Sequence, residues 1–572
     1  MKRLVFSLLV ILIHGLSSAS PLTYRRAIER VTSLDPAEAA SAYASRCVSL
    51  IYEPLLEYDY EARPYALRPC LATAMPEISE DGQTYTFVID TNACFTADPC
   101  FGLDADGAPL SRHVTAEDFV FSLKRLADAK VASSGYWLLD GHVKGIEAFR
   151  EASKGATPTD YALEVEGLQA PAPERLVIKL SSPSPVFLWQ MAMPYVAAVP
   201  REAVEFYGAA FRDHPVGTGP YALEKWRRNY SLRFRRNEAW RGWRETSNLK
   251  SEISNFKFQP FDFLYFPTID DPSTQWLAFL AGELDLQGEI LRDNWDDVIG
   301  PDGALSPALA ERGIVLERAP TLEVGYIGIN MRDPLLGGNK ALRQALNAAF
   351  DFPAWERFYN GRIMPCDGPV PPSVGGRLET PFKYAFNLDL AHRLVAEAGY
   401  PGGIDPKTNR RLVLTLSIGN ATQESREAGE LMASFYEKVG IRLELDFRTW
   451  DAFLRAVNEG RVQLFRMGWV GDYPDAQNFL QLFYSKNASP GPNHSAYANP
   501  DFDSAYEAAL DARTEPERNA HWSRCQEIIR EDCPWVFTHY NKTFSLTRPS
   551  VGNFVPSGFP DGTEKWYEPR HR

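Results

Sequence analysis

The chain has 572 residues, 45% hydrophobic and 12% aromatic, with 60 basic against 74 acidic side chains and a formal charge of −14. That length exceeds one ordinary domain and can bury two or three cores. The acidity argues against a nucleic-acid partner, whose phosphates require a basic surface. The apolar and aromatic content excludes a disordered chain, and a single long apolar run excludes a membrane protein of several spans.

That run opens the chain. Lys2 and Arg3 precede Leu4 to Ile13, and the small residues Ser17, Ser18 and Ala19 follow, which is the three-part layout of a secretory signal. The run is too short to span a bilayer, so residues 1–19 are expected to be removed after export. The first cysteine is Cys47, which leaves none beside the cleavage point to carry a lipid. The mature chain is expected to be a freely soluble, exported monomer.

Seven cysteines lie beyond this segment, where an oxidising compartment permits disulfides. Cys94 and Cys100 flank Asp98-Pro99 and are the first expected bridge; Cys525 and Cys533 come next. The odd count leaves one thiol over, and spacing does not assign connectivity. No CxxC or HExxH occurs, so neither a metal nor another cofactor is expected.

Strand and helix patterns then alternate, without a 20- to 50-residue repeat. Tyr85, Phe87 and Ile89 share one face of a strand over 84–90. Thr115 caps a helix with Asp118 at its third position, and Phe119, Leu123 and Leu126 form its apolar stripe. Leu176, Ile178 and Leu180 alternate, as do Leu232 and Phe234, and EVGYIGIN opens a new strand-like element at Glu323. Helices are expected over 339–349 and 388–398, the second stopped by Gly399 and Pro401. Ile441, Leu443, Leu445 and Phe447 alternate strictly, and helical patterns over 502–512 and 516–530 follow. An α/β architecture with several sheets results.

Nine segments recur in a recognisable order: SLDP (33–36), IYEPLLEYD (51–59), LATAMPEISEDGQTYTFVID (71–90), VTAEDFVFSLKRL (114–126), PVGTGPYAL (215–223), WLAFLAGELDL (276–286), NLDLAHRLVAEAGYPGG (387–403), GWVGDYPDAQNFL (468–480) and PWVFTHYN (534–541). In this series the chain resembles the family 5 extracellular solute-binding proteins, the peptide and oligopeptide receptors of ABC importers. The resemblance implies an α/β, two-lobed periplasmic binding protein fold of the large cluster C type, with a hinged cleft. Lobe I would comprise 20–54, 205–322 and 541–572, its extra subdomain 55–204, and lobe II 323–540. The implied function is a periplasmic receptor, not an enzyme, that binds short peptides extended between closing lobes and delivers them to an inner-membrane ABC permease. Relatives of this architecture also bind oligosaccharides, opines and metal complexes, so a non-peptide solute is the alternative. A secreted hydrolase is the remote one, since no G-x-S-x-G elbow is present and carboxylates alone do not define an acid–base pair.

The site expectations centre on FRMGWVGDYPD, where a strand enters a glycine-containing loop. By resemblance Asp472 holds a peptide's α-ammonium and Arg466, six residues earlier, meets its carboxylate. Gly468 and Val470 would offer main-chain groups to an added strand, and Trp469 an apolar wall. Residue types alone read more plainly, with Asp472 a turn or cap residue and Arg466 a solvated strand position. Ala42, Tyr136, Trp137 and Asn420 are further candidates to line the cleft; core packing suits the aromatic pair equally, and a turn suits Asn420. Val457 falls where oligopeptide receptors carry a second ligand-facing arginine. Gly217 to Pro220 lacks the Lys-Ser/Thr of a phosphate loop and reads as a tight turn between strands near the hinge.

Overall fold

The computed structural model describes residues 21–39, 41–155, 158–243, 259–300, 302–489, 491–557, 559 and 562–570. The expected signal, residues 1–19, lies outside them. The principal elements of the first half are β1 (Thr23–Arg25), α1 (Ala42–Ile51), β2 (Glu77–Ile78), β3 (Thr84–Val88), α2 (Ala116–Ala127), β4 (Leu168–Ala172), β5 (Arg175–Lys179), β6 (Tyr221–Arg227), β7 (Ser231–Arg236) and β8 (Phe263–Pro267). Those of the second are β9 (Leu286–Gln287), β10 (Val315–Ile329), β11 (Ile363–Met364), α3 (Leu388–Glu397), β12 (Val413–Ile418), α4 (Gln423–Glu437), β13 (Arg442–Phe447), β14 (Leu464–Val470), α5 (Glu515–Asp532) and β15 (Trp535–Thr547).

Local chemistry explains their limits. At α2 the Thr115 N–H donates to Asp118 Oδ2 at 2.8 Å, closing the capping box, and Phe119, Leu123 and Leu126 are buried beneath it. At α3 Asn387 caps the start, the Leu390 N–H donating to its Oδ1 at 2.9 Å, and Gly399 takes φ +95° beyond the end.

Three larger sheets organise these elements. β1-β8-β7-β6 and β2-β3-β5-β4 are four-stranded, and the third runs β9-β15-β10-β14-β12-β13 with β11 also on β15. The first two share one core, from Tyr24 through Phe87, Phe119 and Leu264 to Tyr567. The third buries both faces: Ile327, Leu414 and Leu464 lie on one side, and Tyr326, Phe465 and Trp535 on the other. A smaller core of Trp276, Phe279 and Trp295 packs on Phe544 and Leu546 of β15. Two lobes result, and β10 with β15 runs through both. Their antiparallel register extends from Val315↔Thr547 to Gly328↔Trp535 and shifts between Pro320 and Val324.

Several expectations are corrected. Glu323 does not open an element; it sits inside β10, whose first half lacks alternation yet pairs with β15. Pro320, which has no N–H, lies at the edge of the register shift, where such a residue is tolerated. Gly217 to Pro220 is not a turn between strands. It follows a short 3-10 helix and passes the end of α1, where the Gly219 N–H caps the Ile51 carbonyl at 2.7 Å. A Cβ on Gly217 would lie 2.1 Å from that same oxygen, so close approach is the reason for glycine here.

All seven cysteines are thiols. Cys525 lies on α5 and Cys533 caps its end. Eight residues of helix separate them by roughly 12 Å, beyond the ~7 Å Cα limit of a disulfide. Cys94 instead faces His113, Sγ to Nδ1 3.5 Å, while Cys100 sits in the 3-10 turn capped by Asp98. Titration of the denatured chain with a thiol reagent is expected to count seven thiols with or without prior reduction; fewer without reductant would restore a bridge.

Candidate functional site

The face of β14 that covers the second core leaves it towards its C-terminal end. Leu464 is buried, Arg466 half-buried, and Gly468 and Val470 are exposed, Val470 to 63%. The alternate residues stay inward, and Trp469 donates its Nε1–H to Asn478 Oδ1 at 2.9 Å. Gly471 then ties to the Leu322 carbonyl at 2.7 Å, and Asp472 follows. A strand that outruns its helical cover thus presents bare main chain, with Arg466 at one end and Asp472 at the other.

Asp472 lines a cavity of about 370 Å³ together with Ala42, Tyr58, Tyr195, Phe559 and Lys565. Ala42 is the exposed first residue of α1, just after its Ser41 cap. Among the described residues, three carboxylates border this space. Glu53 is held by Arg241 (2.8 Å) and by the Trp240 Nε1–H (2.9 Å). Glu57 is paired with Arg68 at 2.6 Å and with Lys565; against the effect of burial, these cations keep it below the usual carboxylate range.

Asp472 differs. Its backbone N–H donates to Asn478 Oδ1 (3.2 Å) and its Oδ2 accepts from Asn478 Nδ2 (3.3 Å), but it has no ion pair among the described residues. Its side chain is open to water within the cavity yet crowded by protein, and that desolvation raises its carboxyl above the usual range, with Asn478 opposing.

A second cavity, also about 370 Å³, adjoins the strand and takes in Arg466, Gly468, Val470, Asn420, Trp450 and His539. Arg466 donates to the Tyr359 hydroxyl at 2.8 Å, lies 5.8 Å over the Trp355 ring, and has no carboxylate partner among the described residues. Asn420 is exposed and accepts from the Thr422 hydroxyl at 3.1 Å, so it both shapes the turn and faces the cavity. His539 is held down to about 3 by burial and by Arg466, hence neutral.

Tyr136 and Trp137 do not join these cavities. They form a short 3-10 helix beside α2, where Arg150 lies 4.0 Å over the Tyr136 ring and Trp137 faces outward. Cation–π packing at the edge of the first core takes up the aromatic surface expected in the cleft. Val457 is buried on the helix Trp450–Asn458 and is a core residue rather than a ligand-facing one. Asn478, only 1% exposed and on the short helix Ala476–Leu480, is the anchor that sequence reasoning missed; among the polar residues of YPDAQNFL nothing singled it out. No helix among the described residues is long and apolar enough to cross a membrane, and none of their His, Cys, Asp and Glu groups is arranged to hold a metal.

Comparison with known proteins places the fold in a family. The family model for bacterial extracellular solute-binding proteins, family 5 Middle, matches residues 66–491. Heme-binding protein A of Haemophilus influenzae is 24% identical over 520 residues, covering 89% of this chain and 85% of that protein. The periplasmic oligopeptide-binding protein OppA of Escherichia coli K12 is 24% identical over 542 residues, covering 93% and 89%. The unliganded open form of the murein tripeptide-binding protein MppA superposes with a TM-score of 0.78 at 22% identity, covering 97% and 98%. The chain belongs to the bacterial extracellular solute-binding proteins of family 5.

Proposed function

We propose that this protein is a periplasmic receptor that binds short peptides in extended form, without chemical turnover, and delivers them to an inner-membrane ABC permease. The observation that carries the reading is Asp472, the one carboxylate among the described residues of its cavity left without a cation, at the end of a strand whose main chain is bare. A free α-ammonium supplies the missing cation, and the peptide backbone adds to β14 beside Gly468 and Val470, so that affinity comes from main-chain bonds rather than side-chain readout. Arg466 takes the peptide carboxylate.

The lobes are 20–54 with 205–322 and 541–572, and 323–540, with 55–204 as the subdomain. The hinge lies at the register shift between Pro320 and Val324, where the β10–β15 ladder is interrupted. Closure is driven by the ligand's preference for the closed state. After removal of residues 1–19 the receptor works as a periplasmic monomer.

Mass spectrometry of ligand released from gently purified protein, followed by calorimetry with the peptide found, tests the reading. Peptides with a free amine are expected to bind and N-acetylated copies to lose most of their affinity. A second reading, a non-peptide solute, rests on the similarity to a relative named for heme; equal binding of blocked and free peptides would favour it. Gly468→Ala gives an independent check. A Cβ there meets only the Val324 carbonyl oxygen, at 3.4 Å, so the fold accepts it. The ligand backbone does not, and affinity is expected to drop by roughly 1–3 kcal/mol, the scale of an overpacked contact, at an unchanged unfolding midpoint.

A further inference from the structure

The sheet β1-β8-β7-β6 turns one face to the first core. Tyr24, Leu264, Phe234 and Leu232 point inward and are at most 1% exposed. Side chains alternate along a strand, so their neighbours point outward. The register places Arg25, Tyr265, Arg233 and Lys225 in one row across all four strands. A second row holds Thr23, Phe263 and Arg235, and Arg227 follows Lys225 at the next outward position of β6. None of these residues lines either cavity of the candidate site.

Charge on this outer face runs against the rest of the chain, which has 60 basic and 74 acidic side chains. Its strands present five cations, Arg25, Lys225, Arg227, Arg233 and Arg235, and one carboxylate, Glu224. Glu224, in the bulge of β6, binds Arg233 at 2.7 Å, and Arg25 reaches Asp285 at 3.7 Å. Lys225, Arg227 and Arg235 are exposed and have no carboxylate partner among the described residues. At the border Asp213 is held by Arg228, Asp262 by Arg236 and Asp271 by Thr274, while Asp270, just beyond β8, is exposed. Lys225 stands directly opposite Arg233, an arrangement of like charges that costs stability. Charges on the edge strand β6 also guard against pairing with another chain. That purpose does not account for Arg233 and Arg235, which lie on an interior strand.

Aromatic rings interleave with these cations. Phe263 and Tyr265 are half-buried, with the Arg233 guanidinium 4.1 Å over the Phe263 ring. At the tip of the β6–β7 hairpin Tyr230 is 68% exposed, with the Arg227 guanidinium 5.4 Å over its ring. An open face of unpaired cations beside an exposed tyrosine matches an anionic bilayer, where phosphates meet the charges and tyrosine settles among the headgroups. Lipid headgroups rearrange to reach every cation, whereas a folded acidic partner would have to match their spacing. The acidity of the whole chain does not forbid this contact. Salt screens charges beyond about 8 Å, so the adjoining face outweighs the distant acids. We propose that this face docks the receptor on an anionic phospholipid membrane, beside the permease it serves. The inference takes from the proposed function only that the receptor works next to a membrane.

The test is co-sedimentation of the protein, purified from the periplasm, with vesicles of phosphatidylcholine alone or mixed with phosphatidylglycerol. The mixed vesicles are expected to bind it and the neutral ones not, and raised salt should release it. The triple variant Lys225→Gln, Arg227→Gln, Arg235→Gln removes cations on which no carboxylate depends, so its unfolding midpoint should stay unchanged. Its partition onto the mixed vesicles should fall about 100-fold, at roughly fivefold per cation near such a surface. Arg227→Lys with Arg235→Lys keeps the charge and should keep the binding. Mixed vesicles that bind the parent no better than neutral ones do, or that bind parent and folded triple variant alike, overturn the proposal. Capture of the parent by neutral vesicles that carry the permease, with no capture by mixed vesicles, overturns it in favour of an acidic protein surface. Peptide affinity is measured apart from this, so failure of the Asp472 anchor and failure of the docking face are told apart.

Discussion

Asp472→Asn is expected to abolish the advantage of a free amine. The exchange keeps the shape of the side chain and its contact with Asn478 but removes the charge, so a bound α-ammonium would be left desolvated and unpaired. Such a loss costs about 3 kcal/mol, roughly 150-fold in affinity. Calorimetry with one peptide, free and N-acetylated, reads it directly: the parent distinguishes the two and the variant does not. Equal discrimination by parent and variant would move the amine anchor elsewhere.

The raised pKa of Asp472 adds two signs to this prediction. An ammonium needs the ionised carboxylate, so affinity for free-amine peptides declines as pH falls through the raised value, and binding there releases a proton. Buffers of different ionisation enthalpy make that proton visible, and Asp472→Asn should silence it. Stability behaves oppositely. The folded, unliganded protein holds this proton more tightly than the unfolded chain. The group's contribution therefore favours folding at low pH and is lost as pH rises from the ordinary to the raised pKa. At neutral pH Asp472→Asn is accordingly expected not to lower the unfolding midpoint of the unliganded protein.

The second large effect falls on a buried ion pair that lines neither cavity of the candidate site. Asp35 of the SLDP segment accepts both arms of Arg125 from α2, at 2.9 and 2.6 Å, with both side chains almost fully buried. Asp35 also caps the following 3-10 turn through the Ala37 N–H. Arg125→Ala leaves that carboxylate buried without its cation and is expected to cost about 3–5 kcal/mol in urea denaturation. Replacing both partners with leucine removes the uncompensated charge and should recover most of the loss. A double variant as unstable as Arg125→Ala would mean that packing around Arg125, not the charge pair, does the stabilising.

The legible parts of the fold were those governed by neighbours in sequence. Thr115 and Asp118 cap α2 from within one turn, Gly399 ends α3, and the alternation of Leu176, Ile178 and Leu180 needs only the pleat of one strand. The placement of the candidate site was legible to the same extent. The strand ending at Val470, the glycine beside it and Asp472 after it follow from one short segment, and Ala42 and Asn420 line the same cavities as Asp472 and Arg466, respectively. Tyr136 and Trp137 were misread because an aromatic pair fits a cleft wall or a core edge equally well, and Arg150 decided between them. Cys525 and Cys533 were misread because eight residues that look close along the chain are two helical turns apart.

By itself, then, the sequence determined the α/β class, the family, most caps and strands, and which segment presents a carboxylate at the end of bare main chain. Only the tertiary structure decided which charges are spoken for. Glu57 is neutralised by Lys565 from 508 residues away and Arg466 is met by Tyr359 from 107 away, while Asp472 has no ion pair among the described residues. Caps and alternation act over a few residues of chain, whereas charge pairing depends on which distant segments the cores bring together.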